Sequence, residues 1–193
     1  CDEHQKWLGY DMSNYGKVLY VDEENPHDLV YHRLKQLGLV DHSNLRYLHR
    51  QGIRLDRNFD RLLDEAITFQ PKMIVLDSLT RFHTQDENNA GAMASLFNDS
   101  INVLSRETGA AIIILHHTNK SDSNSSYIKT RGSSDIGAAV DGGIELRKTD
   151  QANNTFNLVH FKSRRTQAGG LTKVQICDTI SGQVELVTTS EPF

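Results

Sequence analysis

The sequence predicts an α/β fold in which a mostly parallel sheet is flanked by helices. Short, fully apolar runs are typical of strands that are buried on both faces of such a sheet. Stretches with apolar residues at i, i+3 and i+4 lie between these runs, and this alternation of strand and helix favours parallel pairing. A length of 193 residues suits one domain, so we expect residues 1–193 to form a single domain.

Four apolar runs are the predicted strands of this sheet, and three helical stretches lie between them. The strands are predicted over residues 17–22, 45–48, 73–76 and 110–115. The helical patterns cover residues 29–37, 59–67 and 93–104, and Gly38, Pro71 and Gly109 are the predicted stops of these helices. Right-handed crossovers place the carboxyl ends of the parallel strands on one edge, where open α/β sheets bind their ligands. Glu24, Asp77 and His117 follow three of these strands, so we expect them to converge.

The last part of the chain has a different pattern. Residues 120–131 are rich in Ser, Asn and Asp, which predicts a long loop. Three further strands are predicted over residues 141–147, 155–161 and 171–177, and residues 168–170 (Ala-Gly-Gly) suit a turn between the last two. We therefore expect an antiparallel hairpin at the C-terminal end.

The composition excludes several classes of protein. The net charge of −4, from 21 Lys+Arg and 25 Asp+Glu, excludes a protein that holds nucleic acid by bulk charge alone. No apolar run approaches the roughly 20 residues of a membrane helix, which excludes a membrane-spanning protein. The two cysteines, Cys1 and Cys177, exclude a disulfide framework and a zinc site. A reducing compartment, the cytoplasm, is therefore expected.

Three polar groups at the strand ends are candidates for chemistry on phosphates. Asp77 and Ser78 end an apolar run in the way that many phosphate-handling ATPases place a carboxylate associated with Mg²⁺, although Asp is also common at ordinary strand-to-loop turns. Glu24 is the candidate group to orient or deprotonate an attacking water, and the alternative is that residues 23–26 only cap the next helix. His117 is expected to hydrogen-bond a phosphate.

Three segments of the chain are distinctive: residues 18–26 (VLYVDEENP), 73–83 (MIVLDSLTRFH) and 114–120 (ILHHTNK). Together they resemble the plasmid RepA-type hexameric helicases, which belong to the RecA/DnaB-like ATPase superfamily. The resemblance runs from about residue 16 to residue 177, and residues 77–83 are its most specific part. It implies a RecA-like P-loop NTPase core that hydrolyses ATP with Mg²⁺ and acts as a DNA helicase in replication.

The resemblance also implies a role for the candidates at the sheet edge. Glu24 would be the catalytic carboxylate that activates water. Asp77 would hold Mg²⁺ through water, with Ser78 beside it at the nucleotide. His117 would be the catalytic sensor of the γ-phosphate at the end of its strand.

Two basic residues near the C-terminal end match a Lys-x-Arg pair of the wider superfamily. Lys162 and Arg164 would reach the nucleotide of a neighbouring subunit as an arginine finger supplied in trans. Such a finger requires a homo-oligomer, which the resemblance implies is a hexameric ring. Arg165 lies next to Arg164, which leaves the choice of finger open, and a solvated basic hairpin is the alternative.

Single-stranded DNA is the macromolecular partner that the resemblance implies. RecA-like rings follow the DNA backbone with Lys and Arg of inner loops, and the candidates in this chain are Lys120, Lys129 and Arg131 in the Ser-rich loop. A loop that is merely solvated is the alternative.

The phosphate-binding loop G-x-x-x-x-G-K-[ST] of such ATPases has no match in the sequence. Gly16-Lys17 is the one Gly-Lys pair, but Val18 follows it and Asp11 takes the place of the first glycine. We therefore expect most of a unit of roughly 30 residues to precede Cys1, and we expect the 193-residue chain alone to hydrolyse no ATP. The alternatives are a relative without a P-loop that binds DNA or a partner, and a RecA-like regulatory or recombination ATPase of a plasmid or prophage that does not unwind DNA.

Overall fold

The structure, a computed structural model, describes residues 6–8, 10–12, 15–117, 134–150, 154–166, 170–179 and 182–188. These residues belong to two compact units. The first unit comprises residues 15–30, 41–117 and 134–139, and the second comprises residues 6–8, 10–12, 31–40, 140–150, 154–166, 170–179 and 182–188. The expectation of a single domain stays a prediction, because compactness alone does not distinguish a domain from part of one.

Strands and helices both contribute to the described part of the chain. In chain order, the strands are β1 (Lys6–Trp7), β2 (Tyr10–Asp11), β3 (Val18–Asp22), β4 (Leu45–His49), β5 (Met73–Asp77), β6 (Ala111–Ile114), β7 (Gly142–Asp150), β8 (Thr155–Ser163), β9 (Leu171–Asp178) and β10 (Val184–Thr188). The α-helices are α1 (His27–Gln36), α2 (Phe59–Phe69), α3 (Ala90–Leu96), α4 (Asn102–Thr108) and α5 (Ser134–Ala139). A 3-10 turn is formed by Leu79–Arg81, and a π-helical segment by Phe97–Ile101.

A parallel sheet is the centre of the first unit. Its strand order is β4-β3-β5-β6, and all three neighbouring pairs are parallel. Helices flank this sheet, which confirms the predicted α/β fold. The carboxyl ends of the four strands lie on one edge, so the sheet can bring together residues that are far apart in the sequence.

The two faces of the central strands have different surroundings. On one face, Leu19 and Val21 of β3 and Ile74 and Leu76 of β5 have no solvent exposure. Burial of these aliphatic side chains removes apolar surface from water, which is the main favourable contribution to folding. The opposite face is polar at its carboxyl end, and the candidate site lies there.

Helix α2 shows how the periodicity translates into structure. Leu62, Ala66 and Phe69 recur at helical spacing and are buried. The helix ends at Gln70, which has a left-handed backbone with φ of 55°, and Pro71 then prevents its continuation. The predicted helix and its end are confirmed.

The helix predicted around residues 93–104 is present and stops at Gly109 as predicted, but it is not uniform. Its backbone runs from α3 through the π-helical segment into α4. Within that segment, the Ser100 hydroxyl donates to the Leu96 carbonyl one turn earlier, a bond that is common where helices bend. The helix ends before Gly109, whose φ of 68° is one that glycine adopts without strain.

An antiparallel sheet with the strand order β10-β9-β8-β7 forms most of the second unit. Strands β7, β8 and β9 correspond to the three predicted strands, and β8 and β9 pair as the predicted hairpin. Strand β10 was not predicted, and it extends the hairpin into a four-stranded sheet. Strands β1 and β2 form a separate antiparallel pair.

Two expectations concern loops and membranes. The predicted loop over residues 120–131 lies outside the described residues. Within the described ranges, no helix combines the length and the apolar character that crossing a membrane requires.

Candidate active site

The carboxyl edge of the parallel sheet gathers carboxylates and phenols on one face. The register pairs Asp22 of β3 with Asp77 of β5, and Tyr20 of β3 with Tyr47 of β4. Residues two apart in a strand share a face, so Tyr20 and Asp22 lie on the same side, together with their partners. The rings of Tyr20 and Tyr47 stack with their centroids 4.8 Å apart.

Asp22 is a fully buried carboxylate that accepts four hydrogen bonds. The Tyr47 hydroxyl donates at 2.5 Å, the Asn25 side-chain amide at 3.0 Å, and the backbone N–H groups of Glu24 and Asn25 at 2.9 Å each. Burial raises the pKa of Asp22, but these hydrogen bonds outweigh burial and hold that pKa below its ordinary value. Asp22 is therefore an ionised anchor for the turn that follows β3.

Tyr47 is the matching donor for this carboxylate. Burial, and then the hydrogen bond to Asp22 and the negative charge of that residue, raise the pKa of Tyr47 far above its ordinary value. The phenol consequently keeps its proton and remains a hydrogen-bond donor.

Asn25 links the two aspartates. Its side-chain Nδ2 lies 3.0 Å from Asp22 Oδ2 and 3.4 Å from Asp77 Oδ2. The Tyr20 hydroxyl donates to the same Asp77 oxygen at 2.8 Å. An uncharged donor between two carboxylates offsets part of their repulsion, and the network holds Asp77 in place.

The two glutamates after β3 have different partners. Glu23 accepts hydrogen bonds at 3.0 Å from the backbone N–H groups of Gly52 and Ile53, so it holds the loop after β4. At the start of α1, the Val30 N–H donates to the Pro26 carbonyl at 3.1 Å. The Glu24 carboxylate takes part in neither of these contacts.

The two carboxylate oxygens of Glu24 have different partners. A cis peptide bond joins Asp77 to Ser78. The Ser78 hydroxyl donates a hydrogen bond to Oε2 of Glu24. His117 Nε2 lies 3.6 Å from Oε1, and a guanidinium nitrogen of Arg81 lies 4.0 Å from the same oxygen. Both side chains are 57% exposed. One carboxylate oxygen is thus anchored, and the other is in a loose, accessible electrostatic environment.

The residues at this edge suit a magnesium ion that takes most of its ligands from substrate phosphates and water. Mg²⁺ takes oxygen ligands and usually binds through one or two carboxylates together with waters and substrate phosphates. Among the residues that the structure describes, no set of three or more His, Cys, Asp and Glu side chains is arranged to hold a metal by itself. Asp77 would be the carboxylate that the protein supplies, with phosphate oxygens and water as the other ligands.

Four of the predicted site residues lie within one cluster. Ser78 bonds to Glu24, His117 faces the same carboxylate, and Asp77 precedes Ser78 at the end of β5. The convergence expected from the strand ends is therefore present. The catalytic, nucleotide-binding and metal-binding roles of these residues stay predictions.

The other predicted residues lie elsewhere in the chain. In the second unit, a guanidinium nitrogen of Arg164 donates to the Asp141 side chain at 2.9 Å, and the Arg164 N–H donates to the Asp141 carbonyl at 2.8 Å. Lys162 lies opposite Gly143 in the β7–β8 register. The DNA-binding candidates, residues 120, 129 and 131, lie outside the described residues.

The Gly16-Lys17 pair is remote from the carboxyl edge of the parallel sheet. Lys17 precedes β3, at the opposite end of the strand from Glu24. Its ammonium group donates to the Phe69 carbonyl at 3.2 Å and lies 5.1 Å from the centre of the Phe69 ring. Lys17 therefore fastens the end of α2 to the sheet.

Sequence reasoning missed the residues that support the site. Tyr20 and Asp22 share a face with Asp77 because of the register between β3 and β5. The alternation of these two residues with aliphatic residues in the same run is the sequence signal that could have found them. Arg81 follows Asp77 within the most distinctive segment, but nothing in the sequence pairs it with Glu24.

The sequence of the chain is similar to a known protein family. A model of a family described as an AAA domain matches residues 3–123. This stretch contains the whole parallel sheet and every residue of the cluster around Glu24. Because the match covers more than half of the residues of this chain, the chain belongs to the AAA domain family of ATPases.

Proposed function

We propose that the protein is an ATP-hydrolysing helicase of the RepA type, which couples hydrolysis to movement on single-stranded DNA. The observation that carries this proposal is the setting of Glu24: Ser78 fixes one of its oxygens, and the other faces His117. A base for phosphoryl transfer to water needs such an oriented carboxylate close to a group that can contact phosphate.

Each residue of the cluster has a defined task in this proposal. Glu24 Oε1 accepts the proton of the attacking water, and Ser78 keeps the carboxylate in the orientation that this transfer requires. His117 donates a hydrogen bond to the terminal phosphate. Asp77, oriented by Tyr20, is the carboxylate for Mg²⁺. When bound, the ion would neutralise charge on the phosphates.

The remaining parts of the proposal concern other copies and DNA. Lys162 and Arg164 would act on the nucleotide of a neighbouring subunit in a homo-oligomeric, hexameric ring. The 52% exposure of the Arg164 side chain supports this assignment, because a finger supplied in trans needs a guanidinium that a neighbouring subunit can reach. Lys120, Lys129 and Arg131 would contact the phosphates of single-stranded DNA.

The test is the rate of ATP hydrolysis by the protein expressed from its complete reading frame, with and without single-stranded DNA. Glu24→Gln keeps the hydrogen bond from Ser78 but removes the base, so we expect the rate to fall about 100-fold or more. Glu23→Gln is the matched control, because the Glu23 carboxylate bonds to the loop after β4. The hydrolysis rate of this variant should stay within a few-fold of that of the unaltered protein.

Strand separation by the same proteins distinguishes the helicase from its alternatives. ATP-dependent unwinding that Glu24→Gln abolishes is the expected result. Hydrolysis that DNA stimulates without unwinding would indicate a regulatory or recombination ATPase instead. If the unaltered protein hydrolyses no ATP but binds DNA or a protein partner, the enzymatic proposal is wrong.

A further inference from the structure

Arg81 occupies a rigid position beside the candidate active site. It ends the 3-10 turn that directly follows β5. Leu79, two residues before Arg81, and Phe82, which directly follows it, are fully buried. The Leu79 N–H donates to the Leu115 carbonyl at 2.8 Å, and the Phe82 N–H to the Leu79 carbonyl at 2.9 Å. The backbone of Arg81 is thus fixed, while its side chain extends into solvent.

The guanidinium group of Arg81 is only loosely engaged. Its contact with Glu24 Oε1 measures 4.0 Å, which is too long for a hydrogen bond. Among the described residues, this guanidinium has no hydrogen bond and no other ion pair, although it carries five N–H donors. An exposed pair with this geometry holds its partners weakly.

We propose that Arg81 is a phosphate-binding residue of this site, which exchanges its pairing with Glu24 Oε1 for the oxygens of a bound phosphate group. This inference rests on the proposed function and adds to it a phosphate contact that the sequence did not predict. The planar guanidinium suits phosphate, because two parallel N–H groups can bind two of its oxygens.

The geometry explains how the exchange can occur without displacing the base. Ser78 holds Glu24 through Oε2, so loss of Arg81 from Oε1 leaves the carboxylate anchored. His117 faces the same Oε1, and a phosphate within reach of His117 also lies in the region that the Arg81 side chain can sweep. The exchange would free Oε1 at the moment when a phosphate is in place.

Two ligands could supply this phosphate: the terminal group of a nucleoside triphosphate and the backbone of single-stranded DNA. We therefore suggest measuring the affinities of two probes, the non-hydrolysable ATP analogue adenylyl imidodiphosphate with Mg²⁺ and a single-stranded oligothymidylate. The protein expressed from its complete reading frame would be compared with Arg81→Ala and Arg81→Lys. Arg57→Ala is the matched control, since Arg57 is another exposed arginine of the same unit.

We expect Arg81→Ala to weaken the binding of one probe about tenfold or more, as the loss of a charge-assisted hydrogen bond does. Arg81→Lys should weaken it less, and Arg57→Ala should remain within about twofold. Loss confined to the analogue identifies a nucleotide phosphate, and loss confined to the oligothymidylate identifies DNA. In ¹⁵N NMR spectra, the Arg81 Nε–H resonance should shift when that probe is added.

The inference fails if Arg81→Ala binds both probes as well as the unaltered protein does, or if the Nε–H resonance stays in place. The proposed function would survive that outcome as long as Glu24→Gln still abolishes hydrolysis. If the unaltered protein binds neither probe, both the inference and the proposed function are wrong. Thermal unfolding of each variant shows whether it is folded. Arg81→Lys retains the positive charge and the aliphatic part of the side chain, so its affinities still test the inference if Arg81→Ala does not fold.

Discussion

Asp22 contributes to the site through stability rather than chemistry. Its carboxylate is completely buried and receives hydrogen bonds from Tyr47, Asn25 and the Glu24 N–H. Replacing Asp22 with Asn preserves the shape but turns an N–H₂ group toward these donors. We expect Asp22→Asn to lower the free energy of unfolding by about 2–4 kcal/mol, because buried donors lose their acceptor. Urea unfolding at neutral pH measures this loss.

The pH dependence of this loss is a separate check on Asp22. Its pKa in the folded chain is below the ordinary value, so its contribution is fully present above about pH 4. The contribution disappears as the pH falls through the lowered pKa. The stability difference between Asp22→Asn and the unaltered chain should therefore shrink below pH 4. Asp99→Asn, at an exposed carboxylate, is the control, and an equal difference at pH 3 and pH 7 would contradict the assignment.

At the scale of single residues, sequence reasoning found the groups at strand ends but not their supports. Glu24 and Asp77 were predicted because position after an apolar run is visible in the sequence. The positions of Tyr20 and Tyr47, and the contact of Asn25 with Asp77, depend on the register between strands that are separated by whole helices. That register is a property of the folded sheet, so single-sequence patterns do not contain it.

At the scale of elements, strand β7 is shaped by one close approach. The register between β7 and β8 shifts between Gly143 and Ile144, and the ring of Phe161 packs directly on Gly143. A Cβ at this position would lie 2.3 Å from Cζ of that ring. Glycine is therefore required for this bulge to pack, which explains its position in a strand where it is otherwise unfavourable.

Gly143→Ala should destabilise the chain by about 1–3 kcal/mol, because the Phe161 ring must move away from the added methyl group. Gly142→Ala provides a matched control, since a Cβ there lies 3.5 Å from the Lys162 carbonyl oxygen, an ordinary contact. Thermal unfolding of the two variants measures the difference. Equal melting temperatures would show that the ring yields without cost and that the close approach is unimportant.

Sequence reasoning at this scale was right where a pattern is local. The ends of α2 and α4 were marked by Pro71 and Gly109, whose backbone preferences act within one or two residues. The π-helical segment has no comparable mark, since an extra residue in a turn leaves the apolar spacing nearly unchanged. Strand β10 has only five residues, too few for a clear alternation without the neighbouring strand β9.

At the scale of the whole molecule, the alternation of strands and helices was enough to predict a parallel sheet. Parallel strands need crossover connections, and right-handed crossovers leave few possible arrangements. The assembly of several copies is different in kind. In the proposed ring it would depend on surfaces such as that around Arg164, where the sequence shows a basic residue but not the surface of the neighbouring copy that it would contact.

A mixing experiment tests whether Arg164 acts across subunits. An Arg164→Ala protein keeps Glu24 but supplies no finger, and a Glu24→Gln protein keeps the finger but lacks the base. We expect each protein alone to be strongly impaired in ATP hydrolysis, since a finger supplied in trans contributes about 10³–10⁵ to the rate. When the two are mixed and allowed to exchange subunits, some interfaces combine an intact Glu24 with a neighbouring Arg164.

Hydrolysis should therefore reappear in the mixture, because a site formed between two subunits needs one intact residue from each. Arg165→Ala serves as the comparison, since this adjacent arginine is exposed but has no carboxylate partner among the described residues. If Arg165→Ala, and not Arg164→Ala, is inactive alone and complements Glu24→Gln, then the finger is Arg165. Should neither mixture regain activity although its subunits exchange, the two residues act within one subunit or Arg164 has no part in hydrolysis, and the proposal of a finger in trans is wrong.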